Sequence, residues 1–117
     1  MERTEPLQAV FFETESGTQP VRDFLLERTR EDRKEIGSDI FKVQQGFPMG
    51  KPLVEKIDAD LWEVRSFLPG GICRVFFTVY AQTMILLHSF VKKTQKTPLK
   101  ELKTAKNRLQ EFRRQCK

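Results

Sequence analysis

The chain has 117 residues, 38% of them hydrophobic and 32% charged, with a formal net charge of +5. This composition excludes a disordered chain, and the length supports one domain over residues 1–117 around a single small core. No apolar run approaches the roughly 20 residues of a membrane-spanning helix, and the acidic, polar start MERTEPLQ is unlike a secretion signal, so the expected location is the cytoplasm.

In chain order, LQAVFFE (7–13) is short and rich in Val and Phe, and reads as a strand. TESGTQP is a loop in which Pro20 sits near the first turn of a short helix, VRDFLLER. A second helix starts at TRED, where Thr29 and Asp32 have the spacing of a capping pair. Its stripe Ile36, Ile40, Val43 and Phe47 lies on one helical face, and Gly46 and Pro48 end it. GFPMGKPLVEKIDAD reads as a connector. Three strands follow, DLWEVRSFL, ICRVFFTVY and TMILLHSFV, joined by Pro-Gly-Gly and by a short turn at Ala81-Gln82 into an antiparallel meander. TPLKELKTAKNRLQEFRRQCK reads as a final helix, with Thr97 as N-cap and Pro98 as the first helical residue. Leu99, Leu102, Ala105, Leu109 and Phe112 form its buried stripe, while Lys100, Lys103, Lys106 and Arg113 face water. The order β-α-α-β-β-β-α predicts an α+β fold, with helices on one face of a mostly antiparallel sheet.

From Lys92 onward the chain has ten basic and two acidic residues, whereas the preceding part is mildly acidic. That asymmetry fits a polyanionic partner, and equally a solvated lysine-rich helix. Cys73 and Cys116 form no CxxC or Cys/His cluster, so two reduced thiols and no metal site are expected. No cofactor is expected either.

The hairpin LWEVRSFLPGGICRVFF carries the sharpest feature. A turn that sets Phe67 opposite Ile72 also sets Arg65 opposite Arg74, a destabilising like-charge pair. Trp62 and Val64 share an apolar face with Cys73, Val75, Phe77 and Val79, which should cover the helices. The opposite face mixes the arginines with Glu63, Phe67 and Phe76, as a half-open cleft would. Two guanidiniums there suit a phosphate. The plainer alternative is that Arg65 merely pairs with Glu63 or Glu55. His88, Phe90, Lys92, Lys93 and Lys96 add a titratable ring, an aromatic and three ammoniums at one end of the next strand. A two-residue turn at Ala81-Gln82 places His88 on the core face, and a three-residue turn places it in the cleft.

LWEVR, a Gly-rich turn with CR, and LLHSFVKKTQKTP before a basic helix together resemble the HigB-like, phage-associated branch of the RelE/ParE toxin superfamily. The most specific part is HSFVKKTQKTP, and the resemblance covers nearly the whole chain. It implies a small α+β toxin of a type II toxin–antitoxin pair, usually a ribosome-dependent endoribonuclease acting on messenger RNA. A neighbouring antitoxin, often a helix-turn-helix protein, would neutralise it. Carried onto this sequence, the arginine that contacts the scissile phosphate in RelE-type toxins matches Arg74. The basic residue after the last strand matches Lys93, with Lys92 beside it, and the arginine closing LWEVR is Arg65. The sequence departs from that pattern at Leu61 and Glu63, where RelE-type enzymes have lysines, and near Leu99, where they have a tyrosine. His88 and Glu63 are the available proton-transfer groups.

The resulting expectation is metal-independent RNA cleavage by attack of a 2′-hydroxyl on the adjacent phosphate. Arg65, Arg74 and Lys93 would supply cations, with His88 as a catalytic candidate. Phe90 or Phe76 would offer a stacking surface for a base, and Lys92, Lys96, Lys100 and Lys103 would hold RNA. The alternative is a non-catalytic, ParE-type toxin that binds DNA gyrase.

Overall fold

The computed structural model describes residues 5–94 and 96–116; Met1–Thr4, Gln95 of the HSFVKKTQKTP motif and Lys117 lie outside the described residues. The elements are β1 (Gln8–Phe11), α1 (Pro20–Leu26), α2 (Arg30–Gly46), β2 (Val54–Asp58), β3 (Leu61–Leu68), β4 (Gly71–Tyr80), β5 (Thr83–Lys92) and α3 (Leu99–Gln115). The strands form one sheet of order β1-β5-β4-β3-β2, in which β1 runs parallel to β5 and the other neighbours are antiparallel.

The connector expected after α2 contains a strand. Val54 and Glu55 pair with Val64 and Glu63, and the ladder shifts between Lys56 and Asp58. Its half-polar sequence, VEKID, hid it: Val54 is buried and Ile57 packs on the opposite face, while Lys56 and Asp58 are exposed, as a strand with one neighbour allows.

Both faces of the sheet are covered, which corrects the expectation of helices on one face. Val64, Cys73, Val75, Phe77 and Met84 pack against Val21 of α1 and Ile36, Ile40 and Val43 of α2. On the opposite face Leu61, Phe76, Ile85, Leu87 and Phe90 pack against Ala105 and Leu109 of α3. The basic helix therefore lies over the face expected to stay half open. Alternation along β4 dictates this arrangement, because neither set of its side chains could be left in water without exposing large aromatics.

Local chemistry sets the helix ends. Thr29 caps α2 as expected, its hydroxyl accepting from the Asp32 amide. At α3 the cap is Pro98, not Thr97. The Thr97 hydroxyl instead donates to Glu63 Oε2 at 3.2 Å. Leu99, expected in the buried stripe, is 81% exposed: the first turn meets the sheet through Glu101, which bonds His88, and Leu99 stands two residues earlier, about half a turn away around the helix.

Candidate functional site

The hairpin register is the expected one: Arg65 lies opposite Arg74, and Leu68 opposite Gly71 across the Pro69-Gly70 turn. A carboxylate sits between the two charges. Glu63 Oε1 is 2.9 Å from Arg65 Nε and 3.4 Å from Arg74 Nε. Arg65 also binds Glu55 on β2. Arg74 donates to the Thr94 carbonyl oxygen at 3.0 Å, and its guanidinium lies 5.8 Å from the centre of the Phe90 ring. Arg74 and Glu63 are fully buried. The like-charge cost is thus offset by Glu63, which bridges both guanidiniums, and by Glu55. The pairing alternative raised for Arg65 is the observed geometry. Burial pushes the Glu63 carboxyl above its usual range, and Arg74 and Thr97 offset part of that rise.

His88 lies on the α3 face by an unexpected route. The turn is the two-residue one, with Ala81 and Gln82 both at positive φ, and alone it would aim His88 at α1 and α2. The register then shifts: Phe77 pairs with Leu86, but Phe76 pairs with His88, leaving Leu87 as an extra residue on β5. This bulge reverses the alternation beyond it and brings His88 beside Phe76. The two rings lie nearly parallel, 6.1 Å apart and 4° from coplanar in orientation. Phe90 stacks on both, at 6.0 Å from Phe76 and 6.1 Å from His88.

Two α3 residues that sequence reading passed over close around the imidazole. Glu101 Oε1 is 2.6 Å from Nε2, and Arg108 Nη1 is 2.9 Å from Nδ1. Burial lowers the His88 pKa, the Arg108 charge lowers it further, and Glu101 opposes both. A signal for the pair existed in the sequence. Glu101, Ala105 and Arg108 are spaced by four and three, so two charged residues share the face of the buried alanine.

The remaining candidates divide by exposure. Lys92, Lys93, Lys96, Lys100 and Lys103 are all exposed, running from the end of β5 to the second turn of α3. Phe90 is buried, with its ring already engaged by Arg74, Phe76 and His88, and Phe76 is fully buried. Lys106 pairs with Asp58 of β2 at 3.1 Å, which ties α3 to the far side of the sheet. Burial pushes the Cys73 thiol up to about 12. No group of His, Cys, Asp and Glu suited to a metal ion occurs among the described residues. No helix among them is long and apolar enough to cross a membrane.

The arrangement combines an exposed set of ammoniums with a half-buried imidazole–carboxylate–guanidinium group. Such a combination can bind a polyanion and move a proton beside it. A comparison with curated proteins gave no match. Residues 23–110, most of the chain, match the model of the family described as phage-derived protein, Gp49-like. That span runs from α1 to the last turns of α3 and includes every candidate residue above, so the chain belongs to the phage-derived Gp49-like family, a RelE/ParE-like toxin family of toxin–antitoxin systems.

Proposed function

We propose that this protein is the toxin of a type II toxin–antitoxin pair, of the HigB-like branch, and that it cleaves messenger RNA on the ribosome. The observation that carries the reading is the set of exposed lysines Lys92, Lys93, Lys96, Lys100 and Lys103, which follow His88 in the chain and flank Glu101 of the His88 group along it. Ammoniums in that set suit phosphates, and a titratable group beside them suits proton transfer to or from the attacking oxygen. Family membership supports the toxin class. Arg65 and Arg74 act from behind this surface: Arg74, fully buried, holds the Thr94 carbonyl oxygen next to Lys93, and Arg65, its side chain 15% exposed, is held by Glu55 and Glu63. The proposed partners are the ribosome with its message, and an antitoxin carrying a helix-turn-helix domain.

Expression of the chain without its antitoxin, followed by mapping of message 5′ ends, tests the reading. New ends inside translated regions are expected within minutes of induction. Intact messages together with double-strand DNA breaks would instead place the protein with the gyrase poisons.

A further inference from the structure

The hydrogen bonds around His88 determine where its proton sits. Arg108 Nη1 lies 2.9 Å from Nδ1 and 3.1 Å from the Leu87 carbonyl oxygen. A guanidinium has no lone pair to offer, so it donates and Nδ1 accepts. The single proton of the neutral ring is then on Nε2, which donates it to Glu101 Oε1 at 2.6 Å. Both ring nitrogens are committed, and the imidazole has no lone pair left for a substrate proton. Protonation at Nδ1 would set an N–H against the Arg108 N–H, in keeping with the lowered His88 pKa.

The unused acceptor in this group belongs to the carboxylate. Glu101 Oε2 takes no hydrogen bond among the described residues, and its side chain is 25% exposed against 14% for His88. Glu101 also stands in the first turn of α3, where the backbone dipole favours negative charge, and is flanked along the chain by the exposed Lys100 and Lys103. Among the described residues, the charged groups that bear on the trio are its own members and Glu111, which faces Arg108 from the same helix.

Resting on the ribonuclease reading above, we propose that Glu101 is the general base of RNA cleavage and that His88 and Arg108 are its positioning residues. Glu101 takes the proton of the attacking 2′-hydroxyl, and the freed electron pair on that oxygen forms the new bond to phosphorus. The bond from phosphorus to the 5′-oxygen breaks, and the departing oxygen takes a proton from water. Glu101 then returns its proton to the hydroxide so formed. The products are a 2′,3′-cyclic phosphate and a 5′-hydroxyl, with no net gain or loss of protons.

The test uses the full chain with programmed ribosomes, in single-turnover cleavage across a pH series. Glu101→Gln keeps the side-chain shape and an acceptor for His88, so the expected result is wild-type melting and ribosome binding with cleavage slowed about 10²- to 10⁴-fold. The wild-type rate should rise with pH along a limb of unit slope that E101Q lacks. His88→Gln retains an N–H aimed at Glu101 and should recover much of the rate that His88→Ala loses, with the pH inflection displaced in H88A. An E101Q protein that cleaves at the wild-type rate with the same profile overturns the proposal alone. Wild-type protein that binds ribosomes but leaves message uncut overturns the ribonuclease reading as well. If E101Q fails to fold, equal rates and equal inflections for H88Q and H88A overturn the positioning role.

Discussion

Glu63 holds two guanidiniums in a place where water cannot reach it, and this fixes what its partners can tolerate. Removing Arg74 leaves a buried carboxylate with less compensation, and breaking a buried pair in this way costs about 3–5 kcal/mol. Arg74→Ala is therefore expected to be strongly destabilised in urea unfolding, and Glu63→Gln introduced beside it should return part of the loss. An Arg74→Ala protein as stable as wild type would remove the bridging account of the hairpin. His88 gives a second residue-scale expectation. Its folded pKa lies below the usual 6.5, so in acid the unfolded chain binds a proton that the folded protein refuses. The stability it contributes is complete above 6.5 and declines as pH falls from there through the folded value. Glu63, raised above 4.5, contributes with the opposite sign, being most favourable below that value. Since the chain has one histidine, the difference in urea midpoint between wild type and His88→Gln should shrink as pH is lowered from 7.5 to 5.5. A difference that is constant with pH would show that the ring titrates normally.

At the level of the element, the long periodic pieces are readable in the sequence and the short irregular ones are not. α2 and its Thr29 cap, the β3–β4 register and the positions of β4 and β5 follow from alternation, heptad-like spacing and turn residues. β2 escapes because five half-polar residues just after Pro52 carry no clear period. The side on which His88 emerges escapes because one extra residue in β5 leaves no mark in an apolar run; Leu86 and Leu87 look alike, and only pairing tells which is the bulge. Periodicity locates α3 correctly, yet it misplaces Leu99 on the buried face, and it does not separate Glu101 and Arg108 from the charges that merely face water. The same helix gives a stability contrast. Leu109 is buried under the sheet, so Leu109→Ala should cost about 2–5 kcal/mol. Leu99→Ala should change stability by no more than about 0.5 kcal/mol, since that side chain is mostly in water. Equal losses at the two positions, measured by thermal melting, would mean that the N-terminal turn of α3 is packed more firmly than its exposure implies.

For the whole molecule, charge and chain topology have separate consequences. The net +5 is concentrated in the last quarter of the sequence, so the proposed binding to ribosome and RNA should weaken steeply with salt. Replacing Lys92, Lys93 and Lys103 with glutamine should reduce the slope of that dependence by about one unit for each phosphate no longer neutralised. Unaltered slopes would leave the lysines as solubilising charge.

The parallel pairing of β1 with β5 has a different kind of consequence. Gln8 to Phe11 shield the backbone of Thr83 to Leu86, which with Leu87 spell TMILL, five residues without a charge or a proline. The family match begins at residue 23, so a fragment cut to its limits would lose the first strand and leave that backbone unpaired. An uncovered apolar strand of this kind recruits the same strand from another chain. Fragment 23–110 is expected to elute from a sizing column as dimers and larger aggregates, while the full chain at the same concentration does not form them. A monodisperse, monomeric fragment would show that the first strand is dispensable as a guard against self-association.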